Sequence, residues 1–125
     1  MKNEKRKMKE NILKTKSYAF ALRVVKLYKY LCRHKEYVLS KQVLRSGTAV
    51  GALVSEAEFA QSKADFISKL SIALKEANET LYWLSLLKDS EYIDEKMLKS
   101  IEPDAKELIK LLVSSINTAK KNNAQ

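Results

Sequence analysis

Cys32 and His34 are the most reactive side-chain types in this chain, and each occurs once. A thiol in contact with an imidazole can act as a nucleophile with its general base. Two residues apart on a helix, however, the two side chains point to different faces, so a Cys–His pair from this segment is disfavoured. Cys32 has no disulfide partner and lies among Leu27, Tyr28 and Leu31, which indicates a buried structural thiol.

Metal and acid–base chemistry also lack a clear set of residues. A di-iron helical bundle needs Glu-x-x-His from two helices, and one histidine cannot supply it. The sequence has no Gly-rich phosphate loop, no CxxC and no HExxH. Carboxylates that could form acid–base pairs are Glu56, Glu58, Asp65, Glu76 and Glu79. Lysines alternate with them, as on a solvated helix surface, so we predict no catalytic residues, no metal and no cofactor. A cryptic enzyme is the least supported alternative.

A basic stripe on the first helical segment is the best candidate site. Its members are Arg23, Lys26, Lys29, Tyr30 and Arg33. The cations lie within about a third of the helix circumference, and no acidic residue occurs between residues 15 and 35. Cations neutralise phosphates and a tyrosine stacks on an unpaired base, so the stripe predicts binding of RNA or DNA. The alternative is an ordinary solvated face of a lysine-rich protein.

Apolar residues recur at helical spacing in four segments, which predicts an all-α fold. Ser62 with Asp65 resembles a capping box, and Asp94 is a suitable cap. Pro103 predicts a kink or a short break in the last segment. Short connections favour an antiparallel up-down-up-down four-helix bundle. The segments run from about Ser17 to Arg33, from an N-cap at Ser40 to about Ala60, from Ser62 to about Lys88, and from Asp94 to about Lys120.

The second segment contains the only two glycines, Gly47 and Gly51, in the stretch RSGTAVGALVSE. Each glycine inside a helix costs about 1 kcal/mol relative to alanine, so two of them indicate a compensating close approach of another helix. The segment is also apolar on a second side, which includes Leu53. We therefore place it between its own bundle and a neighbouring subunit, and predict that both glycines and Leu53 lie at an oligomer interface.

The third segment has apolar residues beyond its core stripe. Ile72, Trp83 and Leu86 project from the other side of that segment. Contiguous exposed apolar surface usually marks an interface, so these residues also predict a homo-oligomer. The alternative is that they are scattered singly or covered by loops.

Positive charge is concentrated at the N terminus. The formal net charge is +9, and residues 1–16 contribute +5 of it, from seven basic and two acidic side chains. We expect residues 1–16 to form a flexible basic segment, residues 17–120 the bundle domain, and residues 121–125 a polar tail. The basic start runs into polar sequence, and the longest uncharged run is too short to span a bilayer, so we expect a cytoplasmic protein without membrane contact.

The stretch from Gln42 to Asp94 closely resembles the bacterial four-helix-bundle family of 23S ribosomal RNA intervening-sequence proteins. It reads QVLRSGTAVGALVSEAEFAQSKADFISKLSIALKEANETLYWLSLLKDSEYID, and with SYAFALRVVKLYKYL the resemblance covers about residues 13–120. Its specific parts are RSG from residue 45, Glu56, and FISKLSIALKEANET from residue 66. The family usually has asparagine at the position of Leu53 and often glycine near Phe59, so this chain suits a more apolar contact.

This resemblance implies a left-handed bundle that assembles as a homopentameric ring, and it brings no catalytic residues. A related accessory protein of diversity-generating retroelements resembles this architecture and works with a reverse transcriptase and nucleic acid. In a ring, the basic stripe would repeat as a belt whose weak contacts add up. We therefore predict a non-enzymatic homo-oligomer that binds RNA or DNA. The alternative is a structural or adaptor protein that binds another protein, such as a nucleic-acid enzyme, without touching nucleic acid.

Overall fold

The computed structural model describes residues 4–123, which form four α-helices. Within these residues there is no strand, so the predicted all-α class is confirmed and the arrangement is consistent with a four-helix bundle. α2 packs against α1 and α3, whereas α4 packs closely against α3 and less extensively against α1. The bounds are Glu4–Arg33 for α1, Leu39–Glu58 for α2, Lys63–Asp89 for α3 and Glu95–Asn123 for α4.

The first helix begins at Glu4, well before the predicted start near Ser17. Its buried row alternates steps of four and three residues, as expected for a helix that packs along its length. The members of this row are Leu13, Ser17, Phe20, Val24, Leu27 and Leu31. The predicted N-terminal segment is therefore helical from residue 4 onward, because Leu13 continues the row into its lysine-rich sequence. Residues 1–3, and residues 124–125 of the predicted tail, lie outside the described residues.

Two helix starts follow the sequence signals. The Ser62 side chain accepts a hydrogen bond from the amide of Asp65 at 3.0 Å and caps α3. Asp94 Oδ1 accepts from the amide of Met97 at 2.8 Å, just before α4 begins. Both predicted caps are confirmed, and they satisfy amides that have no partner inside the helix.

The start of α2 differs from the sequence prediction. Ser40 is not the N-cap, since it lies inside the first turn of α2 and is fully buried. The acceptor comes instead from Glu36, whose Oε1 binds the amides of Val38 at 2.9 Å and Ser40 at 2.7 Å. Glu36 is buried beside the helix start, so its carboxylate takes over the capping role.

Glu36→Ala is expected to lower the free energy of unfolding by about 1–2 kcal/mol, because two amides at the start of α2 lose a charged acceptor. Urea denaturation at a fixed protein concentration measures the change. Glu36→Gln keeps a carbonyl oxygen at the same place and should lose less. A loss below about 0.5 kcal/mol for Glu36→Ala would show that α2 does not depend on this carboxylate.

The ends of α1 and α3 use residues that are not glycine in the left-handed conformation. Lys35 has φ 66° and Glu91 has φ 69°. In each turn the amide of the following residue bonds to the carbonyl five residues earlier, at 2.9 Å, which is the Schellman pattern. Glycine usually marks this position, so a chain with two glycines gives little warning of these turns.

Both glycines of α2 face α1 of the same chain. A Cβ at Gly47 would lie 2.7 and 2.8 Å from the two methyl carbons of Val24. At Gly51 it would lie 3.2 Å from the carbonyl oxygen of Ser17. The helix that approaches the glycines is therefore α1 of the same chain, and a subunit interface at Gly47 and Gly51 stays a prediction.

Pro103 does not interrupt α4, so the predicted short break is absent. Proline has no amide to donate to the carbonyl of Lys99, one turn earlier. Arg23 Nη1 of α1 donates instead to the neighbouring carbonyl, that of Ser100, at 2.8 Å. A tertiary hydrogen bond thus supports the turn that proline weakens.

Candidate nucleic-acid interface

The five residues of the predicted basic stripe differ in their exposure on α1. Arg23 and Tyr30 are half-buried, whereas Lys26, Lys29 and Arg33 are exposed. None of those three exposed cations forms an ion pair with a carboxylate among residues 4–123. The stripe is therefore one helix face in the sequence but not one uniform surface in the fold.

Arg23 is fully engaged with α4. Its Nη1 lies 2.6 Å from Asp104 Oδ2 and 2.8 Å from the carbonyl oxygen of Ser100, and its Nη2 donates to Ser100 Oγ at 2.6 Å. These contacts balance the guanidinium charge and occupy both of its outer nitrogens. Arg23 therefore positions α1 against α4, and its charge contributes less to an external ligand than the sequence indicates.

Lys26 and Tyr30 line a groove between α1 and α4 with a volume of about 390 Å³. Its floor is apolar, since Leu27, Ile93 and Ile101 are buried core residues. The rim carries one exposed lysine from each helix, Lys26 of α1 and Lys96 of α4. The remaining lining residues are Arg23, Met97 and Ser100.

The sequence prediction omitted Lys96, although it lies at this groove. Among residues 4–123 it forms no ion pair, unlike Lys99, which lies 3.9 Å from Glu95. The only sequence signal is its place two residues after the cap Asp94, at the start of a helix. Nothing in that signal tells which neighbouring helix the side chain approaches.

Lys29 and Arg33 do not line the groove. They are exposed on α1 and extend the positive surface away from the α1/α4 contact. The groove with Lys26 and Lys96, together with Lys29 and Arg33, is called the α1/α4 basic surface below.

Tyr30 marks the edge of this basic surface. Its ring lies against the imidazole of His34, with centroids 4.2 Å apart, and its carbonyl oxygen lies 2.9 Å from His34 Nδ1. Tyr30 also lines a second hollow of about 480 Å³, whose charged residues are three carboxylates and one lysine. Besides Tyr30, that hollow is lined by Lys88, Asp89, Glu91, Tyr92, Ile93 and Asp94. A negative region at the α3–α4 connection therefore bounds the positive one.

The cation in that acidic hollow is already paired. Lys88 Nζ lies 3.3 Å from Glu95 Oε2 and 3.7 Å from Asp89 Oδ1. The hydrogen bond with Glu95 is the main reason that the pKa of Lys88 is raised. Lys88 therefore adds no unbalanced charge to the α1/α4 basic surface.

The apolar residues assigned to an oligomer interface are covered to different degrees. Leu53, Trp83 and Leu86 are half-buried, and Leu53 and Trp83 pack against the core of the same chain. Ile72 is the exposed member, at 41%. Part of this surface is therefore covered within one chain, and the exposed large apolar residues of α3 are Ile72 and Tyr82.

Trp83 also belongs to a polar network between α2 and α3. Its Nε1 donates to Glu79 Oε2 at 2.8 Å, and its ring meets Tyr82 edge to face. Arg45 of α2 pairs with both Glu76 and Glu79. The pKa of Glu79 is lowered, first by the hydrogen bond from Trp83 and then by Arg45. This network fixes the indole orientation and links the two helices.

No geometry for metal chemistry is found in the described part of the chain. Among residues 4–123, no three His, Cys, Asp or Glu side chains come together in a way that could hold a metal ion. Cys32 is half-buried, and a hydrogen bond with it is the main reason that the pKa of Tyr28 is raised. None of the helices of residues 4–123 contains an apolar run long enough to cross a membrane.

The family model for 23S rRNA-intervening sequence proteins matches residues 9–114. The chain belongs to this family. The match includes all of α2 and α3 and most of α1 and α4, so it covers every element that forms the groove. The resemblance inferred from the sequence is thereby confirmed.

A solved structure from the S23 ribosomal protein family supports the same conclusion. It is a Bacteroides thetaiotaomicron protein of unknown function that shares 58% sequence identity with this chain, with a TM-score of 0.86. The similarity covers 87% of this chain and 98% of the other. No curated protein matches the chain.

Proposed function

We propose that this member of the 23S rRNA-intervening sequence protein family is a non-enzymatic homo-oligomer that binds RNA or DNA through the α1/α4 basic surface. The observation that carries the proposal is a group of four cations near Tyr30. Lys26, Lys29, Arg33 and Lys96 are exposed and form no ion pair among residues 4–123. Unpaired cations can neutralise phosphates and release their counterions, which is the main source of sequence-independent affinity.

We also infer that the helices alternate in direction, as in an up-down-up-down bundle. Partners on α4 decrease in residue number as those on α1 increase. These pairs are Lys9 with Thr118, Lys16 with Glu107, and Arg23 with Asp104. Such a bundle holds the α1/α4 basic surface along one side of the molecule.

A homo-oligomer is supported by large apolar side chains on the outer faces of the helices. Tyr18 and Leu22 of α1 are 67% and 51% exposed, and Tyr82 of α3 is 60% exposed. Copies of the chain could cover these faces and repeat the basic surface around the assembly. Light scattering coupled to size exclusion counts the subunits. The homopentamer implied by the resemblance and the cytoplasmic location stay predictions.

Reversal of three charges tests nucleic-acid binding. The triple variant Lys26→Glu, Lys29→Glu and Arg33→Glu should lose at least about tenfold in affinity for a labelled single-stranded oligonucleotide, because several phosphate contacts become repulsive. Fluorescence anisotropy at 50 and 200 mM salt measures the affinity, and the wild-type protein should weaken steeply with salt. Wild-type binding that ignores salt would contradict the proposal.

A matched control separates local charge from net charge. Lys75, Lys110 and Lys121 are exposed, have no ion pair among residues 4–123, and lie outside the groove. Their reversal to glutamate changes the net charge equally and should reduce binding much less. Equal losses in both triple variants would assign the affinity to overall charge. Absence of wild-type binding at 50 mM salt would reject nucleic-acid binding and favour the adaptor alternative.

A further inference from the structure

The contact between α1 and α4 is the least extensive of the four helix contacts in the bundle. The groove lies in this opening, so a ligand can reach the buried residues Leu27, Ile93 and Ile101. A groove of about 390 Å³ is within the range of about 300–1,000 Å³ that is typical of small-molecule sites. The bundle is therefore open to one compact apolar group.

The surroundings of the groove define the chemistry of that group. An apolar floor and the Tyr30 ring suit a flat, weakly polar moiety, while Lys26 and Lys96 on the rim suit negative charge on either side of it. A nucleobase between two phosphates has this combination of an aromatic plane and flanking anions. We propose that the α1/α4 groove receives one unstacked base of a single strand, with its flanking phosphates at Lys26 and Lys96. The inference rests on the proposed nucleic-acid binding and names the form of nucleic acid that is recognised.

The groove favours a single strand over a duplex. In a duplex the bases are stacked and paired, so a base enters a groove only after unstacking, which costs a few kcal/mol. A single strand presents its bases at a smaller cost, because they are not paired. Phosphates alone would use the rim lysines and leave the apolar floor empty.

An acidic amphipathic peptide fits the groove less well. A docked helix places a row of anchors over about 10 Å and extends past both ends of its groove. Here Arg23 crosses to Ser100 and Asp104 at one end, and Tyr30 rests against His34 at the other. The span from Arg23 to Tyr30 is only about 10 Å, because it covers seven residues of helix. Beyond Tyr30 lie the carboxylates of Asp89, Glu91 and Asp94, which would repel the continuation of an acidic helix, so a compact group suits the groove better.

Three probes of equal length test the proposal on the full chain. They are a single-stranded oligothymidylate, an abasic strand with the same phosphates, and a duplex. The oligothymidylate should bind about tenfold more tightly than the other two, because base stacking adds to phosphate contacts. Equal affinity for the three probes, still lowered by the triple charge reversal, would overturn base recognition and leave nucleic-acid binding intact. No binding of any probe would overturn both.

Substitutions at Tyr30 and Lys96 locate the site. Tyr30→Ala should reduce oligothymidylate affinity to the level of the abasic strand, whereas Tyr30→Phe keeps the ring and should keep the preference. Lys96 is exposed, and Lys96→Glu should weaken oligothymidylate binding severalfold. The control Lys110→Glu, at another exposed position of α4, should leave the binding unchanged. If Tyr30→Ala and Lys96→Glu leave the preference unchanged, the base does not occupy this groove. An acidic amphipathic peptide serves as the competitor. If it binds wild type more tightly than the strand does, and displaces the strand from wild type but not from Tyr30→Ala, the groove binds a peptide and not a base.

Discussion

Gly47→Leu is expected to unfold the protein or to lower its free energy of unfolding by more than about 3 kcal/mol. The first added carbon would lie 2.7 and 2.8 Å from the methyl carbons of Val24. Val24 is fully buried, and a β-branched side chain in a helix has one strongly preferred rotamer, so it cannot turn away. The remaining leucine atoms would force α1 and α2 apart. Circular dichroism during urea denaturation at a fixed protein concentration measures the loss.

Two further variants identify the cause of this loss. Gln42→Leu adds a leucine at an exposed position of the same helix and should change stability by less than about 0.5 kcal/mol. Val24→Ala removes the opposing methyl groups, so Gly47→Ala should cost less in that background, with a coupling of about 1 kcal/mol or more. An unchanged unfolding midpoint for Gly47→Leu, together with a changed subunit number, would place the glycines at a subunit interface.

The glycines illustrate which part of the packing the sequence can predict. Their helical spacing and their cost predict a close helix approach, and Val24 and Ser17 provide it. The sequence cannot name the approaching helix, because a small residue leaves the same space for α1 of its own chain as for a neighbour. Apolar periodicity has the same limit: it placed Trp83 outside the core stripe, but the indole packs on its own bundle and bonds to Glu79.

Sequence spacing also predicts only part of the candidate site, namely the residues that share one helix. Residue types and spacing on α1 found Lys26 and Tyr30, because a stripe on one helix is a local property of the sequence. The neutralisation of Arg23 by Asp104, and the approach of Lys96 to the same groove, depend on residues far along the chain. A groove between two helices is a property of their packing, and a helical wheel for one segment cannot contain it.

Some helix ends can be predicted from local sequence, and others depend on how the chain turns. Ser62 and Asp94 cap helices through amides three residues ahead, so their type and position predict the contact. Glu36 caps α2 from outside the helix, where the chain first turns through Lys35 in the left-handed conformation. That carboxylate reaches the amides only because of the turn, and no propensity scale assigns it to a cap.

Leu13→Ala is the second substitution with a large expected effect, a loss of about 2–5 kcal/mol in the free energy of unfolding. Leu13 is 2% exposed and begins the buried row of α1, although it lies in a stretch whose lysines predict a solvated tail. Ile12→Ala is the matched control, because Ile12 is 41% exposed and should lose less than about 0.5 kcal/mol. Urea denaturation of the two variants compares them directly.

The result decides whether the N-terminal half of α1 is part of the bundle. Lys9 reaches Ser114 and Thr118 at 3.1 Å, and Lys16 pairs with Glu107 at 3.1 Å, so this half of the helix lies along α4. The exposed ion pair of Lys16 contributes little on its own, about 0–1 kcal/mol. The burial of Leu13 is therefore expected to hold the segment in place more strongly than that pair does. Equal, small losses for Leu13→Ala and Ile12→Ala would mean that the segment is detached, as its composition alone predicts.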